Sequence, residues 1–239
     1  MKNTQSGIVE LSLHNRRVDN ICICFALKEE AAPFQKIAAD KSGVLILITG
    51  IGRQNAEKSV REFLFTHSPK LVLTCGFAGG LNPDLKLGDV IFEIGNRNSE
   101  FRIQSEPRCL GCYEKLVAAG AKPAKFFCVD GIATTVAEKN KLREDTGADA
   151  VEMESAAIHG VCRECGIPCA TVRVISDTAI EDLPLDFNAL AKPDRSLDFG
   201  KLALVIAKSP GKISALLKLQ KQAKFAAERL ADVLAKITT

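Results

Sequence analysis

The sequence predicts a single α/β domain built on a mostly parallel sheet. Three observations carry this. Apolar, β-rich runs alternate with helix-period segments over most of the chain. The strand-like runs are unbroken apolar stretches, as strands buried on both faces are. No internal repeat or low-complexity linker divides the 239 residues, and their 46% hydrophobic content is too high for disorder.

The elements follow in order. NICICFAL (20–27) reads as a buried strand, and KEEAAPFQKIAA (28–39) as a helix whose first turns Pro33 disturbs. GVLILIT (43–49) is a strand and GRQNAEKSVREFLFTH (52–67) a helix. KLVLTCG (70–76) is a strand that opens into a glycine-rich loop, and GDVIFEI (88–94) a further strand. CYEKLVAAGA (112–121) is a helix, KFFCVDG (125–131) a strand, and TVAEKNKLREDTGA (135–148) a helix closed by Gly147. ADAVEM is a short strand, ESAAIHGVCRECG a helix, and PCATVRVISD (168–177) the last strand. From Pro193 onward the pattern changes to two amphipathic helices around Pro210, with Lys and Arg on their polar faces. That surface is either the solvated face of packed helices or a basic amphipathic surface for a membrane or an amphiphilic substrate.

The formal charge is +3, from 32 basic and 29 acidic residues, which gives no field for nucleic acid. No apolar run has membrane-spanning length, and MKNTQSGIVELSLHNRR at the start lacks the apolar segment of a signal peptide. The expectation is a soluble, cytoplasmic protein. The nine cysteines sit mostly inside apolar elements, where a free thiol acts as a small hydrophobe. The CLGC (109–112) and CREC (162–165) pairs lie too far apart for a zinc ribbon and fall in helix-like stretches, so no metal site is expected.

Open α/β sheets bind ligands at the carboxyl ends of their strands. Lys28, Glu29 and Glu30 follow the first strand, TGIGR (49–53) the second, and CGFAGGLNP (75–83) the third. Glu152-Met153-Glu154 and Ser176-Asp177 stand at the ends of two later strands. Each acid taken alone is accounted for as a helix first-turn acid or a cap. Their gathering at one sheet edge suits a polyhydroxylated, cationic or proton-accepting ligand.

These pieces resemble the nucleoside phosphorylase and nucleosidase superfamily, especially methylthioadenosine/S-adenosylhomocysteine nucleosidase. The matching stretches are FALKEEA, TGIGR, CGFAGGLNPDLKLGDVI, VEMESAAI and IPCATVRVISD, with Phe187 ten residues after Asp177. The TTVAEKNKL run, the short middle and the long basic tail look more like the subgroup of hopanoid-associated phosphorylases. The resemblance implies a single-domain three-layer sandwich with a mixed, mostly parallel sheet over 18–239, with 194–239 as a C-terminal helical extension.

It also implies roles. Asp177 matches the general acid at purine N7, steadied by Ser176. Glu154 matches the carboxylate that accepts the ribose 2′- and 3′-hydroxyls, with Met153 along the sugar and Glu152 nearby. Glu30 matches the carboxylate that positions the attacking water. Ile132 matches a base-binding backbone position; Ile51 and Phe187 match apolar positions around the base and the 5′ group. Phe77 stands where the family commonly carries Ser, which removes a hydroxyl donor, although the N–H groups of Ala78 and Gly79 offer an anion nest. Arg53 is the basic candidate for phosphate. The implied reaction is hydrolysis of a 5′-modified, adenosine-type nucleoside without a cofactor. Phosphorolysis, with phosphate as co-substrate and a hopanoid-linked adenosine as substrate, and a non-catalytic nucleoside-binding protein stay open. A homodimer or higher homo-oligomer and a peripheral membrane contact of the tail belong to the same expectation, with no nucleic-acid partner.

Overall fold

A computed structural model describes residues 20–94, 107–192 and 198–238, with the side chains of 107–110 excepted. Cys109 of the CLGC pair, Pro193 and the start of the chain, where the domain was expected to begin, lie outside the described side chains.

In chain order the elements are β1 (Ile21–Phe25), α1 (Lys28–Ala38), β2 (Val44–Ile48), α2 (Arg53–Thr66), β3 (Leu71–Gly80), β4 (Val90–Ile94), α3 (Pro107–Ala118), β5 (Lys122–Pro123), β6 (Phe126–Cys128), α4 (Val136–Thr146), β7 (Ala150–Glu152), α5 (Ser155–Glu164), β8 (Cys169–Asp177), α6 (Phe199–Lys208) and α7 (Lys212–Ile237). The main sheet runs β2-β1-β3-β8-β4-β5, with β7 joined to the far end of β3 and β6 to β7. β1 is parallel to β2 and to β3, and β3 to β8. β4 runs antiparallel to β8 and β7 antiparallel to β3, so the sheet is mixed and mostly parallel.

Period-two alternation sends neighbouring strand residues to opposite faces. Ile23 and Phe25 pack with Phe34, Leu116, Leu230 and Leu234 on one side. Cys22, Cys24 and Val72 pack with Ala56, Val60, Ile158 and Val161 on the other. Helices therefore cover both faces and the molecule has three layers. The C-terminal half of α7 is part of this core, with Ala226, Leu230, Val233 and Leu234 buried. α6, by contrast, buries none of its residues.

Three elements differ from the sequence reading. β3 does not stop at 76 but continues through the glycines to Gly80, because β8 and then β7 supply ladder partners to its end. α3 begins five residues earlier than expected, at Pro107, whose missing N–H is no loss at a first helical position. Pro33 lies inside an unbroken α1, which forgoes the single ladder bond that an N–H there would make to Glu29. Among the described residues no helix is long and apolar enough to cross a membrane.

Candidate active site

β1, β2, β3 and β8 are mutually parallel and end at one edge, and the acids gather there. Glu30 lies in the first turn of α1, directly after β1. Its Oε2 accepts the Leu27 N–H at 2.9 Å, tying the helix start to the strand end. Its Oε1 accepts the Phe77 N–H, also at 2.9 Å, reaching across to β3. Burial raises the Glu30 pKa to about 7, with Glu154 adding to the rise; the two N–H donors and the Arg173 charge only partly oppose it. A carboxylate poised there suits proton exchange near neutrality.

Arg173, in β8, is the centre of the site and is 1% exposed. Its Nη2 donates to Glu152 Oε2 at 2.6 Å, to Thr74 Oγ1 at 3.1 Å and to Glu154 Oε2 at 3.3 Å. Its Nη1 donates to the Cys75 carbonyl at 3.3 Å, and its Nε is buried with no hydrogen-bond partner. Burial works against the guanidinium charge, but Glu152, Glu154 and Glu30 outweigh it and raise the Arg173 pKa further. A buried cation of this kind needs its counter-charges in place.

Glu152 and Glu154 flank Met153 where β7 turns into α5. Glu152 Oε2 accepts the N–H groups of Glu154 and Ser155 at 3.0 and 2.8 Å, and its Oε1 accepts the Ser155 hydroxyl at 2.6 Å. Burial opposes ionisation, yet Arg173 and these donors win, and the Glu152 pKa is lowered. Glu154 Oε1 accepts the Gly52 N–H at 2.8 Å. Gly52 has φ +86°, a conformation glycine adopts without strain, and this aims its N–H inward at the start of α2. Burial and the Glu152 charge raise the Glu154 pKa despite Arg173.

Asp177 ends β8 at the rung of Gly79, which also faces Val151 of β7. Ser176 Oγ donates to Asp177 Oδ1 at 2.9 Å. Lys139 Nζ, from α4, lies 2.6 Å from Asp177 Oδ2.

The geometry revises several expected roles. Glu152 is not free to approach a sugar: both its oxygens are spent on the β7–α5 junction and Arg173, so it holds the site rather than lining it. Ala78 and Gly79 do not form an anion nest, because they lie within β3, and successive N–H groups of a strand point in opposite directions. Ile132 does not offer a free backbone to a base. Its N–H donates to Asn188 Oδ1 and its carbonyl accepts from Asn188 Nδ2, both at 2.8 Å. Arg53 is half exposed and pairs with the exposed Asp130, 3.5 Å away; among the described residues it forms no ion pair with the buried acids. Phe77 packs its ring against the main core and gives its N–H to Glu30. Ile51, Met153, Ser176 and Phe187 are half-buried. Sequence reasoning missed Arg173 and Lys139. Arg173 had a signal, a lone charge inside the apolar run ATVRVIS; Lys139, in a helix polar all round, had none. Among the described residues no group of three or more His, Cys, Asp or Glu side chains is placed to hold a metal.

An open α/β sheet with buried acids gathered at its carboxyl edge is the arrangement of a small-ligand site. The family model of the phosphorylase superfamily matches residues 27–93 and 114–203, and the chain belongs to that family. It is 26% identical over 181 residues to a 5′-methylthioadenosine/S-adenosylhomocysteine nucleosidase of Shewanella halifaxensis, covering 66% of this chain and 79% of the relative. Two solved structures share the fold. The futalosine hydrolase of Helicobacter pylori superposes with a TM-score of 0.65 at 20% identity, covering 92% of this chain and 97% of the other. The 5′-methylthioadenosine/S-adenosylhomocysteine nucleosidase of Helicobacter pylori, solved with butyl-thio-DADMe-Immucillin-A, gives 0.66 at 18%, covering 93% and 98%.

Proposed function

We propose that this protein is a purine nucleosidase, which hydrolyses the N-glycosidic bond of a purine nucleoside. In this reading Asp177 delivers a proton to N7 of the leaving base, and Glu30 positions the attacking water and takes its proton. Glu154, anchored by Gly52 and Arg173, accepts the ribose hydroxyls. Breaking the bond sends its electron pair into the base, and a proton at N7 makes that base a better leaving group.

The observation that carries the reading is the spacing of two acids along one strand. Glu30 is bonded at Phe77, beside Gly76, and Asp177 stands at the rung of Gly79. Phe77 and Gly79 are two strand residues apart, a span of about 7 Å. Inverting glycosidases, which place a water opposite a leaving group, separate their acid and base by roughly 6.5–9.5 Å. The named relatives, a methylthioadenosine/S-adenosylhomocysteine nucleosidase and a futalosine hydrolase, support hydrolysis of a nucleoside with a modified 5′ position.

Phosphorolysis fits less well. The one buried guanidinium described at the site is already surrounded by Glu30, Glu152 and Glu154, which disfavours a phosphate dianion. The test is chromatography of the bases released from a panel of purine nucleosides, with and without phosphate. Phosphate-independent release of purine and free sugar supports the reading. A rate that requires phosphate makes the protein a phosphorylase, and tight binding without release makes it a nucleoside-binding protein.

A further inference from the structure

Lys139 is the one buried residue of α4 and is 0% exposed, although the helix around it is polar. Thr135 and Glu138 form a reciprocal cap at the helix start, which fixes where the first turns point. The ammonium has three donors, and three acceptors meet them. These are Asp177 Oδ2 at 2.6 Å and the carbonyls of Thr178 and Glu181 at 2.8 Å each. Asp177 in turn accepts from two donors, Lys139 on Oδ2 and Ser176 on Oδ1. Each partner is arranged as its charged form requires, so the site's acid is half of a buried ammonium–carboxylate pair. A buried lysine with its hydrogen bonds filled by two carbonyls and one carboxylate is costly to maintain. A clamp on the loop after β8 would need only the carbonyls.

We propose that Lys139 is a positioning and proton-holding residue for base departure, acting through Asp177. The inference rests on the assignment of Asp177 as the acid. As the C1′–N9 bond breaks, its electron pair passes to the base and N7 takes a proton from Asp177. Lys139 Nζ passes a proton to Asp177 in the same event, so the pair ends as a neutral amine beside a carboxylate. Water adds hydroxide to C1′ and leaves its proton on Glu30. Solvent then removes the proton from Glu30 and returns one to Lys139. Water is consumed, and free sugar and free purine are released.

The test is a double-mutant cycle of Lys139→Met, Asp177→Asn and the double variant, read by single-turnover purine release, KM and melting temperature. Residues that act as one unit lose activity non-additively. Each single variant is expected to lower kcat by about a hundred-fold or more, within the range a general acid supplies. KM should stay within about threefold, and the double variant should be about as slow as the slower single one. Should Lys139→Met fail to fold, Lys139→Gln keeps an N–H donor without the charge and is read by the same cycle. A loss carried by KM, near-normal turnover of the Lys139 variant, or a double variant whose loss is the product of the two overturns the proposal and leaves Lys139 as a loop clamp. Near-normal turnover of Asp177→Asn alone overturns the acid assignment instead.

Discussion

The Arg173 guanidinium and the Glu30 carboxylate both occupy the space that a side chain on Gly76 would fill. A Cβ at position 76 would lie 2.7 Å from Arg173 Nη1 and 2.8 Å from Glu30 Oε1. Gly76 also has φ +146°, which an L side chain rarely adopts. Gly76→Ala is expected to displace one or both charged groups, since both are pinned by hydrogen bonds. Overpacking of this kind costs about 1–3 kcal/mol. In a chain of this length each 1 kcal/mol lowers the melting temperature by about 2–4 °C. Thermal melting and purine-release rate measure both effects: the variant should melt several degrees lower and lose most of its activity. A normal melting temperature with normal turnover contradicts the packing described.

The pH dependence follows from Glu30. Its pKa is raised from 4.5 to about 7, chiefly by burial. Below about pH 7 the carboxyl is protonated and cannot take a proton from water; as pH rises through 7 the carboxylate forms. kcat/KM is therefore expected to rise with pH to a plateau, with a midpoint near 7. Glu30→Gln should be slow at every pH and lack that limb. A wild-type profile flat from pH 5 to 8 removes Glu30 from the proton transfer.

Much of the site was legible because position along the chain and chemistry coincide in an open α/β sheet. Glu30 and Asp177 could be placed together because each follows an apolar run that ends as a parallel strand, and parallel strands end at one edge; Glu154 reaches the same site from β7, which runs antiparallel to β3. Side-chain direction was not legible. Glu152 and Glu154 are two residues apart, yet one is spent on Arg173 and the β7–α5 turn and the other is held at the start of α2. That division depends on how β7 turns into α5. The glycines after Cys75 read as a loop because glycine weakens a strand; β7 and β8 supply the missing stabilisation through ladder bonds that join residues far apart in sequence. Lys139 was invisible for the same reason, since its partner Asp177 comes from β8.

Asp177→Asn tests the acid directly. The amide is nearly isosteric, so the fold should hold, but it brings no proton to N7 and places an amide against Lys139. Turnover of purine nucleosides should fall by roughly a hundred- to ten-thousand-fold. Circular dichroism checks that the variant is folded. A folded Asp177→Asn protein that releases purine at the wild-type rate contradicts the assignment.

Glu154→Gln separates sugar recognition from scaffold. One carboxylate oxygen accepts from Gly52 and the other faces Arg173, and each retains lone-pair capacity for a hydroxyl. The amide keeps one acceptor and turns the other into a donor, which would face the Arg173 donor or the sugar. Charge-assisted hydrogen bonds contribute about 1.5–3 kcal/mol, so the loss on a ribonucleoside should be ten-fold to more than a hundred-fold. A 2′-deoxynucleoside lacks one of the two hydroxyls and should lose less. The measurement is kcat/KM for paired ribo- and deoxyribonucleosides in wild type and variant. Equal losses on both members of each pair would show that Glu154 acts only through Gly52 and Arg173, fixing the junction of β7 and α5 without touching the sugar.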